Sequence, residues 1–163
     1  MVGWNESRLI KHEIGQFSVT INWMDRFLNT TWTFTTAYGP TEHNLKPIFW
    51  RELRQLRSSF PNPWIVGGDF NATYKIYERN GTPQSRKISK AFLSFIKSGI
   101  WSNHRECPIL AKLVRLLISI DWDDLCPHAT QSILPNPCSN HAPIKLSILG
   151  LPKVEVPFRF DRS

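Results

Sequence analysis

Two stretches near the start of the chain alternate oily and polar side chains with a period of two. In FSVTINW the oily set is Phe17, Val19, Ile21 and Trp23, and in WTFTTAY the alternating set is Trp32, Phe34, Thr36 and Tyr38. Successive side chains of a strand point to opposite faces, so each stretch predicts a half-buried strand, the two joined by the polar turn around Asp25 to Asn29. Gly39 and Pro40 end this pattern. Beyond them Leu45, Ile48, Phe49, Leu53 and Leu56 recur at helical spacing, with Arg51, Glu52, Arg54 and Arg57 filling the remaining positions. That is an amphipathic surface helix lying on a sheet. PNPW closes it, and Trp64, Ile65 and Val66 form a continuous apolar run of the kind found in a strand covered on both faces. Gly67 and Gly68 permit close backbone approach, so Asp69 and Asn71 stand where a buried strand surfaces. After a loop rich in Gly, Pro, Ser and Lys, the residues Ile88, Ala91, Phe92, Phe95 and Ile96 predict the inward face of a second helix, with Gly99 as its C-cap.

The second half of the chain is harder to divide. Between Pro108 and Ile120 the residues Ile109, Leu113, Leu116, Leu117 and Ile120 match a helix, while the β-branched content and short length also allow a strand; the local pattern leans to helix. A polar DWDD turn follows, then HATQSIL and HAPIKLSIL as two strands, with VPFRF as a possible further one. No repeat, low-complexity tract or linker divides the chain, which at 163 residues has the size of one domain, residues 1–163.

Composition narrows the class. Twelve Pro and seven Trp argue for a mixed fold with many short connections rather than a helical bundle. The net charge of +7 favours a polyanionic partner such as nucleic acid, although the basic residues are spread along the chain and also suit a plain solvated surface. No apolar stretch approaches the about 18 residues that a membrane span needs, and MVGWNESRLIKHEIG lacks the apolar centre of a signal peptide. A soluble, intracellular protein, nuclear or cytoplasmic, is expected. Cys107, Cys126 and Cys138 are an odd number and are expected as reduced thiols.

The candidate chemistry lies at Asp69 and Asn71. A carboxylate there can hold or deprotonate a water, and an amide two residues on can donate to a phosphoryl oxygen as charge develops. Gly-Asp-x-Asn is a weak signal alone, because Asp and Asn also build Asx-turns. It gains meaning from what surrounds it in order: YGP at Tyr38 to Pro40, the amphipathic helix, WIVGGDFN, ERNG from Glu78 to Gly81, FLSFIKSG, and SNHAPI from Ser139 to Ile144. This sequence of blocks resembles the endonuclease/exonuclease/phosphatase family, and most closely the endonuclease domain of plant non-LTR (LINE-type) retrotransposon polyproteins, from about Gly15 onward. The resemblance implies a four-layer α/β/β/α sandwich of the DNase I-like type, Mg²⁺-dependent phosphodiester cleavage, and DNA or another nucleic acid as partner. It also assigns roles: Asp69 positions or activates the attacking water, Asn71 orients the phosphate, Tyr38 lines the cleft, and His141 stabilises the transition state. It says strand for the ambiguous stretch ending at Ile120.

Several positions depart from the family pattern. Where the family has an acid near the metal, this chain has Asn140, which keeps the shape without the charge that a hard cation needs. The acid that orients the histidine is replaced by Val114. In triad chemistry the loss of such a partner costs on the order of 10⁴ in rate. The family's metal-binding glutamate lies upstream of where this sequence begins, and a strand block is missing between Gly99 and Trp101. The expected outcome is an incomplete domain with little or no turnover, and with apolar sheet surface left uncovered.

Two rival classes use other residues. His104 with Cys107, Cys126 with His128, and Cys138 with His141 supply six nitrogen or sulfur ligands for a zinc module, though in irregular, Pro-rich surroundings. A binding module without catalysis would use the basic surface and the aromatics Tyr74, Tyr77 and Trp101. Trp101 is expected in the core instead.

Overall fold

The computed structural model describes residues 7–26, 29–72, 86–98, 101, 114–134 and 143–148. Its centre is a five-stranded sheet in which spatial order follows chain order: β1 (Ser7–Ile14), β2 (Ser18–Asp25), β3 (Thr30–Tyr38), β4 (Trp64–Asp69) and β5 (Val114–Ile118). All neighbours pair antiparallel except β3 and β4. Parallel strands need a crossover, and the helix α1 (Lys46–Ser59) supplies it. A second helix, α2 (Arg86–Ile96), a short helix, α3 (Ile120–Leu125), and a two-stranded antiparallel sheet of β6 (Thr130–Ile133) and β7 (Ile144–Ser147) complete the described elements.

Each face of the central sheet carries its own core. On one side Phe49, Trp50, Leu53 and Leu56 of α1 and Phe92 and Phe95 of α2 pack on Trp64, Val66 and Phe70. Trp50 anchors this layer, stacked on Phe92 at 5.3 Å and on Phe70 at 6.2 Å between ring centroids. On the other side Ile65 and Ile118 meet Trp122, Cys126 and Ala129, with Leu146 of β7 and Ile148 just beyond it against them. The result is a layered α/β fold in which β6 and β7 stand for the second sheet.

Most predicted elements form where the pattern placed them, including the strand over Val114–Ile118 that the family resemblance favoured over the local helical pattern. Three readings are corrected. DWDD is not a turn: it lies within α3, where Asp121 and Asp123 fall in the first turn and suit the positive end of the helix. Glu52 is not a solvated filler of α1. Its carboxylate accepts hydrogen bonds from the backbone amides of Gln16 and Phe17 and from Ser18 Oγ at 2.5–3.3 Å, tying the β1–β2 turn to the helix. Finally, the polar face of β2 is the buried one. Thr20 Oγ1 shares a 2.9 Å hydrogen bond with Thr35 Oγ1, Asn22 donates to Thr33 Oγ1 at 2.9 Å, and Trp64 Nε1 donates to Thr35 Oγ1 at 2.8 Å. Every member of this group is buried because its polar atoms satisfy one another.

β1 escapes the period-two pattern because its register shifts between Leu9 and Lys11, where Ile10 is the extra residue of a bulge. The register also aligns Ile14 with Val19, His12 with Ile21 and Leu9 with Trp23 on one face of the sheet. That face is open: Leu9 is 56%, Ile14 74% and Val19 43% exposed. Gly99 and VPFRF lie outside the described residues. No described helix is long and apolar enough to cross a membrane.

Candidate functional site

Asp69 is the last residue of β4, and the register sets Tyr38 beside it on β3 and Val114 beside it on β5. Trp64, Val66 and Phe70 belong to the α1/α2 core and Ile65 to the opposite one, so alternation along the strand directs Asp69 to the Ile65 side. Gly68 makes the exit possible. Its φ of 145° suits glycine, and a Cβ there would collide with the Ala37 carbonyl oxygen.

The turn beyond Asp69 is held by a set of hydrogen bonds. The Asn71 backbone amide donates to Asp69 Oδ1 at 2.8 Å, which is an Asx-turn, and Asn71 itself has φ 46°, in the left-handed region that Asn tolerates better than most residues. The Asn71 side-chain amide donates to the Gly39 carbonyl oxygen at 2.9 Å, and the Gly39 amide donates to the Asp69 carbonyl oxygen at 2.7 Å. A Cβ at Gly39 would run into the Phe70 carbonyl oxygen, so this glycine is required by close approach. From the helix side, Lys46 Nζ donates to the Phe70 and Asn71 carbonyl oxygens at 2.9 and 2.8 Å. The turns after β3 and β4 are therefore one unit.

Asp69 is 9% exposed and Tyr38 64%, so the carboxylate sits at the bottom of this edge and the phenol ring stands out from it. A carboxylate fixed by a backbone donor can orient a water or a donor group of a ligand. An amide nitrogen carries two protons, so the bond to Gly39 uses one of them. Turn and candidate site are thus the same object, and the two readings of Gly-Asp-x-Asn do not compete.

The structure brings Tyr38, Asp69, Asn71 and the Val114 position together at one end of the sheet. His141 and Asn140 lie outside the described residues, as do Tyr74, Tyr77, His104, Cys107 and Cys138. Trp101 is in the core against Trp64 and Phe95. Cys126 is buried beside Trp122 and Ala129, in an apolar setting, and His128 is exposed. Among the described residues no three His, Cys, Asp or Glu side chains converge to hold a metal ion. Asp69 alone does not supply the six or so oxygen ligands of a hard divalent cation, so the described donor set does not by itself fit Mg²⁺. Lys46 was missed in the sequence, though a signal was present. It begins the spacing Lys46, Phe49, Trp50, Leu53, Leu56, and a lysine in an apolar helical stripe implies a buried ammonium with acceptors waiting.

Layered sheets with a parallel β3–α1–β4 crossover make this a mixed α/β fold of the DNase I-like type. No family model and no curated protein matches the chain. Among solved structures it is similar to a mannosyl-6-phosphatase of Bacteroides thetaiotaomicron, with a TM-score of 0.53 and 10% identity over 88% of this chain and 67% of that one. It is also similar to the human Nocturnin catalytic domain, with a TM-score of 0.49 and 13% identity, covering 88% of this chain and 54% of that domain. The chain thus spans between about half and two thirds of the length of these structures. At such identities the likeness is one of fold.

Proposed function

We propose that the chain is a degenerate phosphodiester-cleaving domain of the retrotransposon endonuclease type, which retains a nucleic-acid-binding surface and has little or no turnover. The observation that carries this is the preset Asp69/Asn71 turn at the end of a buried strand, flanked by Tyr38 and by an apolar Val114. In this role Asp69 would hold the attacking water, Asn71 the phosphate and His141 the developing charge. Val114 has no group with which to orient an imidazole, and Asn140 no charge for a cation.

The test is nicking of supercoiled plasmid with Mg²⁺ or Mn²⁺, beside an Asp69→Ala control, together with titration of a labelled oligonucleotide. Binding that weakens steeply with salt, with no nicking above the control, is the expected result. Robust metal-dependent nicking abolished by Asp69→Ala overturns the inactivity. Absence of binding at low salt overturns the nucleic-acid reading.

A further inference from the structure

Lys46 stands in the first turn of α1 and is only 2% exposed. A buried ammonium is unfavourable unless hydrogen bonds replace its water, and here two carbonyl oxygens do so at charge-assisted distances, 2.9 Å from Phe70 and 2.8 Å from Asn71. The rest of the inward face of α1 is Phe49, Trp50, Leu53 and Leu56, so an apolar residue would suit this position if filling space were the only task. What an apolar residue cannot do is grip two successive carbonyls. These are the first two beyond Asp69, and they belong to a turn whose residue Asn71 holds a left-handed conformation.

We propose that Lys46 is the positioning residue of the Asp69/Asn71 site. Its ammonium fixes the Phe70 and Asn71 carbonyls from behind, so that the Asn71 amide stays on the Asp69 carboxylate before any ligand arrives. The same charge offsets the negative ends of two carbonyl dipoles at a site meant for an anion, and leaves positive potential beneath a phosphoester. The bonds at Gly39 secure the turn to the end of β3, whereas Lys46 secures it to α1, so the site is pinned both to the neighbouring strand and to the crossover helix. This inference rests on the phosphodiester reading for its ligand and on geometry alone for its effect on the turn.

Amide hydrogen exchange measured by NMR on Lys46→Met, with anisotropy of a labelled oligonucleotide, separates the two. The Asn71 amide reports directly, because it donates to Asp69 Oδ1. The expected result is exchange at Asn71 accelerated about tenfold or more, with the buried strand amides of Thr20 and Val66 unchanged, and weaker oligonucleotide binding. Unchanged exchange at Asn71 overturns the proposal, as does uniform acceleration through β2, β3 and β4, which would make Lys46 a general prop of the fold. If Lys46→Met does not fold, Lys46→Leu takes its place, an apolar residue with no donor for the two carbonyls, and the same comparison applies. If the unaltered chain binds no oligonucleotide while Asn71 exchange accelerates in the variant, the phosphodiester reading fails and the hold of Lys46 on the turn stands.

Discussion

The Asn71 side chain donates to the Gly39 carbonyl oxygen across a sequence separation of 32 residues, and it does so from a left-handed backbone. Two features are thus invested in one residue. Asn71→Ala loses the bond and keeps a Cβ in an unfavourable conformation, and it is expected to lose about 2 kcal/mol of stability. Asn71→Gly loses only the bond and should be the milder change, by about 1 kcal/mol. Urea unfolding of both variants checks the order; equal losses would mean that the left-handed conformation carries no strain.

Glu52 is expected to matter more for the first hairpin than for its own helix. Its carboxylate collects the amides of Gln16 and Phe17 and the hydroxyl of Ser18. Glu52→Gln places a donor among donors and should cost about 1–3 kcal/mol. The loss should be visible as faster exchange of the Gln16 and Phe17 amides, with the Phe60 amide at the far end of α1 unaffected.

Thr35 accepts from Trp64 Nε1 and shares a hydrogen bond with Thr20 Oγ1, all three residues being buried. Thr35→Val preserves shape but strands two polar groups. About 2–4 kcal/mol of destabilisation is expected, well above the typical cost of an isosteric core change. The double variant Thr20→Val/Thr35→Val should lose less than the sum of the two single changes, which a double-mutant cycle will read directly.

Leu9, Ile14 and Val19 form an exposed apolar row at the β1–β2 end of the sheet, and β1 is also an edge strand. Such a surface favours association between molecules. Ile14→Lys with Val19→Thr is expected to raise the soluble, monomeric fraction in size-exclusion chromatography while leaving the melting temperature in place. A lower melting temperature would show that the row contributes to this chain's own core.

The sequence made the site's skeleton legible because its parts obey local rules. Trp64 to Val66 read as a doubly covered strand, the two glycines marked its exit, and Asp69 and Asn71 followed at fixed spacing. The helix α1 was legible from periodicity, but the depth of its first turn was not, since Lys46 is a buried cation whose acceptors come from a turn 24 and 25 residues away. The hairpin of β2 and β3 was legible as strands, with Trp32 and Phe34 packed against the second core, but it was not legible that the polar face of β2 is the more deeply buried one. Hydrophobic alternation assumes that the oily face packs inward, whereas Thr20, Asn22, Thr33 and Thr35 bury one another by pairing their hydrogen bonds. α3 was hidden because three acids in DWDD suggest a turn, while only the fold shows Trp122 reaching into the second core.

The level ending of β3 and β4 makes the site a matter of odd and even. Tyr38 and Asp69 meet because both strands count their residues from the same starting line, Thr33 beside Trp64. Removing one residue from β4 would send the carboxylate into the aromatic layer around Trp50, whereas removing one from the exposed stretch Thr41 to Asn44 would leave the count untouched. Evolution can therefore edit the length of the connection freely, but it can shorten or lengthen the strand only in pairs.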